Sequence, residues 1–219
     1  MRQKQLGFTL VEIAIVLVII GLLLGGVLKG QELINQAKIK NVINDINGVT
    51  AAVQAYQDRY RALPGDDPGA AGRWTATVLS ATAGDGVITG LYNVSAGTGA
   101  PAAAAESNLF WQHLRLANFI SGPSTGDGSG NPPSNAAGGM IGVQTGGMGF
   151  TSNIICLSNL PDKIAIAVDS AIDDGSSTTG QVRAVLQTAP NPTVAAASAA
   201  PTVAYAETGN NQYVICKNL

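Results

Sequence analysis

Charge, aromatic side chains and histidine are all scarce in this sequence. Only 12% of its 219 residues are Asp, Glu, Lys or Arg, and the net charge is −2. That balance gives no electrostatic footprint for nucleic acid or for an acidic substrate. Aromatics make up 5% of the chain, whereas Gly, Ala, Ser and Thr abound, so a modest core and many loops are expected. The single histidine, His113, lies between Trp111 and Leu114 in a helical pattern, a setting that suits a structural role. There is no Gly-x-Ser-x-Gly turn, and no glycine-rich run ends in the Gly-Lys-Ser/Thr that phosphate cradling requires. These absences lead to the expectation of no enzymatic activity and no cofactor. Two isolated cysteines and one histidine do not make a four-ligand zinc set, so no metal is expected either.

The cysteines, Cys156 and Cys216, stand late in the chain. An even pair beyond an apolar segment suggests one disulfide in an oxidising compartment; two buried free thiols are the alternative. A bridge would close a loop of roughly 60 residues and contribute about 4 kcal/mol through chain entropy.

What is abundant is apolar length at the start. Residues Phe8 to Leu28 are apolar except for Thr9, Glu12 and the glycines. As a helix this run is about 32 Å long, close to the ~30 Å of a bilayer's hydrocarbon core. The preceding MRQKQLG carries Arg2 and Lys4, which favour a cytoplasmic N-terminus. The following LKGQELINQ is a poor match to a secretory cleavage site. Glu12 is the informative residue. A carboxylate in a spanning helix costs about 2.5–3.5 kcal/mol at mid-bilayer, less here because Glu12 lies only about 6 Å along the axis from Phe8 and can snorkel. It is either a tolerated interfacial glutamate or a group that meets a cation. A cut between Gly7 and Phe8 would supply one, the new α-amine of Phe8, and a neighbouring copy shifted along the axis would set that amine beside Glu12.

The stretch Gly7-Phe8-Thr9-Leu10-Val11-Glu12 resembles the cleavage and methylation site of type IV prepilins and type II secretion pseudopilins. The resemblance covers about the first 30 residues directly and extends along the family's long helix to about residue 60. It implies cleavage after Gly7 by a membrane prepilin peptidase, N-methylation of Phe8, and a role for Glu12 in docking into a growing filament. It also implies partners: other copies of the chain and other pilins, the assembly platform and its motor ATPase, and the inner membrane before assembly. The implied locations are the inner membrane for the precursor and a cell-surface filament or periplasmic pseudopilus for the mature chain. One departure concerns the end of the apolar half, where many pilins have a kinking proline and this chain has Lys29. Gly21, Gly25, Gly26 and Gly30 stand there too, each weakening a helix by about 1 kcal/mol relative to alanine. Small-residue packing at Gly21 and Gly25 is one reading; the other is a segment that unwinds in the assembled fibre and lets it stretch.

From Lys29 to Tyr60 the pattern turns amphipathic. Leu33, Ile34 and Ala37 form one patch, and Ile39, Val42, Ile43, Ile46, Val49, Val53, Tyr56 and Tyr60 continue at steps of three and four, the period of a helix. Gly48 is the weak point. Arg61-Ala-Leu-Pro64 predicts the stop. The expected organisation is a leader at 1–7, a membrane or filament-core helix at 8–28, and an amphipathic helix with a globular head at 29–219.

In the head, 61–104 reads as mostly loop with a short strand at Val87–Thr89. Glu106 to Ile120 reads as a second helix ended by Gly122 and Pro123, and 121–147 as a long surface loop. Phe150 to Leu157, Gln181 to Thr188 and Gln212 to Lys217 have strand character, with loop at 189–210. Pro161 to Asp173 fits a helix or, through KIAIAV, a strand. The predicted fold class is α+β, a long N-terminal helix packed on a small, mainly antiparallel sheet of three to five strands, pilin-like. Tyr60–Asp66, Trp111–Leu114 and Ile172–Gly175 are similar to segments recurring in a subgroup of large pilin-like proteins.

Asp66, Asp67, Asp85, Asp127, Asp169, Asp173 and Asp174 lie in or near glycine-rich turns. Some pseudopilins bind calcium in the head, yet no run here matches the spaced D-x-[DN]-x-[DN]-G loop, and these residues read as turn-forming or capping aspartates. Three functions compete: a structural subunit of a type IV pilus or pilus-like filament, a pseudopilin of a type II secretion system, and a membrane-anchored periplasmic enzyme or binding protein.

Overall fold

The structure, a computed structural model, describes residues 9–94, 105–126 and 128–219. It is an α+β fold in which a long, partly apolar N-terminal helix packs against a small antiparallel sheet. By internal contacts the chain divides into residues 1–38 and residues 39–219.

The first unit carries the opening of helix α1 (Leu10–Tyr60). This helix contains a stretch long and apolar enough to cross a membrane, none of it buried within the chain. Leu10, Leu22 and Leu28 are 87%, 73% and 66% exposed. Such a surface needs lipid or other helices around it.

In the second unit the remainder of α1 buries the predicted stripe. Val42, Ile46, Val49, Val53 and Tyr56 are in the core, joined by Ala52, with Ile39, Ile43 and Tyr60 packed at its edge. Burying each large apolar side chain contributes about 1.5–3 kcal/mol. The helix stops at Tyr60, where Arg61 turns left-handed (φ 55°) shortly before Pro64.

A four-residue helix, α2 (Ala70–Arg73), interrupts the segment read as loop. Val87–Thr89 is not a strand, although Ile88 is tied to Thr145 by hydrogen bonds through both its N–H and its C=O. Helix α3 (Glu106–Leu116) ends earlier than expected. Asn118 adopts φ 60° and Phe119 N–H reaches back to the Leu114 carbonyl (2.9 Å), so asparagine closes the helix before Gly122 is reached.

The largest departure is β1 (Ile141–Gly147), which lies inside the stretch expected to be surface loop. Its glycines resemble turn signals, but Gly142 is needed by packing: a Cβ there would collide with the Tyr92 carbonyl. β1 forms a hairpin with β2 (Phe150–Pro161) through Met148-Gly149, both with positive φ, as a tight two-residue turn demands. Pro161 precedes α4 (Asp162–Ile172), so the KIAIAV ambiguity resolves to helix. β3 (Val182–Leu186) and β4 (Gln212–Asn218) complete an antiparallel sheet of order β1-β2-β4-β3.

Residues of the two central strands alternate between two apolar layers. Ile155, Leu157, Tyr213 and Ile215 join the α1, α3 and α4 side. Ile154, Cys156, Val214 and Cys216 face the other side, which is covered by Tyr92 and Val194 from irregular segments. Burial on both faces explains the unbroken apolar runs Ile154-Ile155-Cys156 and Tyr213-Val214-Ile215-Cys216. Cys156 pairs directly with Cys216 across β2 and β4 and is disulfide-bonded to it, with Cα atoms 4.1 Å apart.

Candidate functional site

The N-terminal segment is the first candidate. Gly7 and Phe8, the expected cleavage and methylation residues, lie outside the described residues. Thr9 and Glu12 form a reciprocal cap on α1. The Glu12 carboxylate accepts from the Thr9 N–H (2.8 Å) and hydroxyl (2.8 Å), and the Glu12 N–H donates to Thr9 Oγ1 (3.3 Å). This is a capping box, threonine followed three residues later by glutamate. The Thr-x-x-Glu spacing is a sequence signal for this cap that the charge argument for Glu12 does not use. In the single chain the carboxylate is thus turned toward the start of its own helix.

The family model described as the prokaryotic N-terminal methylation motif matches residues 2–28. The chain carries a prepilin-type N-terminal motif, the signature of type IV pilins and pseudopilins. No curated protein and no solved structure matches the chain. Within this prepilin-type segment and just beyond it, Gly21, Gly25, Gly26 and Gly30 sit in unbroken helix. A Cβ at any of the four would meet nothing within 4 Å, so no contact among the described residues requires glycine there.

The second candidate is a buried polar network in the head, centred on α3. His113 Nδ1 accepts the Gly65 N–H (3.0 Å), which places the ring proton on Nε2, 3.1 Å from Thr77 Oγ1. The Thr77 hydroxyl in turn donates to Gln112 Oε1 (2.9 Å). His113 is 1% exposed. Burial, assisted by the Arg73 guanidinium, pulls its pKa down to about 4. Tyr56 stacks on the imidazole, with ring centroids 6.2 Å apart, and donates its hydroxyl to Asp67 (2.6 Å). Asp67 also pairs with Arg73, which lies over the Tyr60 and Trp74 rings. Two of the three segments singled out in the sequence, Tyr60–Asp66 and Trp111–Leu114, therefore meet here.

Because His113 folds neutral, its protonation favours the unfolded chain. Its contribution is fully present above pH 6.5 and is lost as pH falls from 6.5 to about 4, a change of about 3 kcal/mol. The histidine ring resonance, unambiguous because there is only one, should stay in its neutral position from pH 8 down to 5. A midpoint near 6.5 in the folded protein would refute the burial argument.

The acidic residues divide into two groups. Asp66, Asp85 and Glu106 bring ligand oxygens within 4.8 Å of one another, and so do Asp169, Asp173 and Asp174. Asp127 lies outside the described residues. Both groups already serve backbone and hydroxyl donors. Asp66 accepts from the N–H groups of Gly84, Asp85 and Gly86, and Glu106 accepts from Thr82 and from Thr89 twice. Burial pushes the Glu106 carboxyl up, but hydrogen bonds from Ser80, Thr89 and Thr82 outweigh it and leave the pKa below its ordinary value. Asp169 accepts from Gly175 N–H and from the Tyr205 hydroxyl, Asp173 from Val182 N–H, and Asp174 from Ser176 N–H and Thr179. These carboxylates act as anchors for loops 82–89 and 174–182, in keeping with the turn-forming and capping reading.

Proposed function

We propose that the chain is a structural subunit of a type IV pilus or pilus-like filament, cut after Gly7, methylated on Phe8 and assembled through its N-terminal helix. The observation that supports this most is the methylation motif at residues 2–28 together with the opening of α1, where the large apolar side chains from Leu10 to Leu28 are exposed in the chain's own structure. On this reading the precursor waits in the inner membrane with those side chains in lipid. An assembly platform and motor ATPase then draw it into a helical bundle of identical copies, where apolar helices replace lipid. Glu12 leaves its cap on Thr9 and meets the Phe8 amine of a neighbour, which fixes axial register. Gly21, Gly25, Gly26 and Gly30 form a weak stretch that unwinds when the fibre is pulled. The protein performs no catalysis and acts through polymerisation. A pseudopilin of a type II secretion system shares every one of these steps and differs in the machine it serves.

The test is mass spectrometry of the chain recovered from its native cell, together with identification of the dominant peptide in sheared surface filaments. The expected N-terminus is methylated phenylalanine at position 8. An intact Met1 in cells with a working peptidase would leave a membrane-anchored protein instead.

A further inference from the structure

A groove of ≈ 290 Å³ opens beside α1 within the second unit. One wall is Asn44, Asp45, Gly48 and Val49; Phe119, Ile120 and Ser121 line it as well. Three features set it apart. Asp45 is half-buried, and burial pushes its carboxyl up from the ordinary value with no hydrogen bond or ion pair among the described residues to offset the cost. Gly48 stands in mid-helix, where glycine is less favourable than alanine, yet a Cβ there would meet nothing within 4 Å. The apolar lining of Phe119 and Ile120 would suit the methylene stem of a long basic side chain.

Lys40 has the complementary charge. It is exposed and has no salt-bridge partner among the described residues. On α1 it precedes Asp45 by five residues, which is about 7.5 Å along the axis and roughly 140° around it. Lys40 and Asp45 of one chain therefore face different sides and do not meet. Two parallel copies side by side, offset axially by about 7.5 Å, bring one copy's Lys40 level with the other's Asp45. The Phe8–Glu12 pairing asks for an offset of about 6 Å in the same direction, a difference of one residue's rise that a flexible lysine absorbs.

We infer that the Asp45 groove receives the Lys40 side chain of a second copy, forming a second cation–carboxylate clasp in register with the one at Glu12. This rests on the filament reading. The full-length chain carrying Lys40→Cys and Asp45→Cys, treated in fibres with a short bis-maleimide, should give a ladder of cross-linked multimers that neither single variant gives. Asp45→Lys and Lys40→Asp should each lower fibre yield about tenfold, and the combined swap should restore it. Processing and melting of each variant in detergent separate misfolding from failed docking. Fibres without a ladder, or single reversals that assemble at the wild-type level, overturn the clasp while leaving the filament reading intact. A wild-type chain that forms no fibre overturns both.

Discussion

Glu12→Gln should yield a protein that is inserted and processed normally but enters fibres about two orders of magnitude less than the wild type. The structure makes glutamine the decisive substitution. Glu12 caps α1 through Thr9, and glutamine at that position preserves a capping box. Loss of the cap, which Glu12→Ala adds to loss of the charge, costs about 1 kcal/mol. Loss of a charge that meets a cation in an apolar layer costs far more, since the unpaired partner is left at an expense of several kcal/mol. At 1.4 kcal/mol per factor of ten, the two roles predict clearly different yields. Filament yield from cells expressing Glu12→Ala and Glu12→Gln separates them. Equal loss in both marks an electrostatic role, whereas a fully active Gln variant reduces Glu12 to a helix cap.

Removing the Cys156–Cys216 bond should lower the head's stability by about 4 kcal/mol, a drop of about 8–16 °C in Tm for a domain of this size. The bond closes a span of 60 residues that includes α4 and β3, so its loss frees a long loop in the unfolded chain. The pair Cys156→Ala and Cys216→Ala is the appropriate variant. Both sulfurs lie in an apolar layer with Ile154, Val214 and Met148, where serine hydroxyls would add an unrelated burial penalty. Both cysteines are fully buried, so a reductant should act on the unfolding transition and leave the native chain intact. Thermal melts of the full chain in detergent, with and without reductant, measure this. A double-alanine variant melting within about 2 °C of the wild type would show that packing, and not the cross-link, holds β2 to β4.

The elements that were legible are those whose pattern is local. The stripe from Val42 to Tyr56 repeats at 3.6 residues and became the buried face of α1. The runs ending in Cys156 and Cys216 are short, apolar and β-branched, and became the central strands. The motif at residues 2–28 is contiguous and needs no fold to be recognised. The element that escaped, β1, did so because its glycines answer to distant groups. Gly142 lies against Tyr92 and Gly146 against Ala196, and nothing near them in sequence distinguishes such a glycine from one in a turn. Asn118 ended α3 before Gly122 for a similar reason: which residue turns left-handed depends on which carbonyls need a donor.

By itself the sequence determined the membrane-length apolar helix, the processing signal, the amphipathic continuation and the identity of the two cysteines, because each is written in neighbouring residues. Only the tertiary structure decided that Asp66, Glu106 and Asp169 brace loops, that His113 is held neutral, and that Asp45 has no partner among the described residues and stands beside an open glycine. Those outcomes depend on which buried groups find donors, and burial brings together residues that the chain keeps far apart.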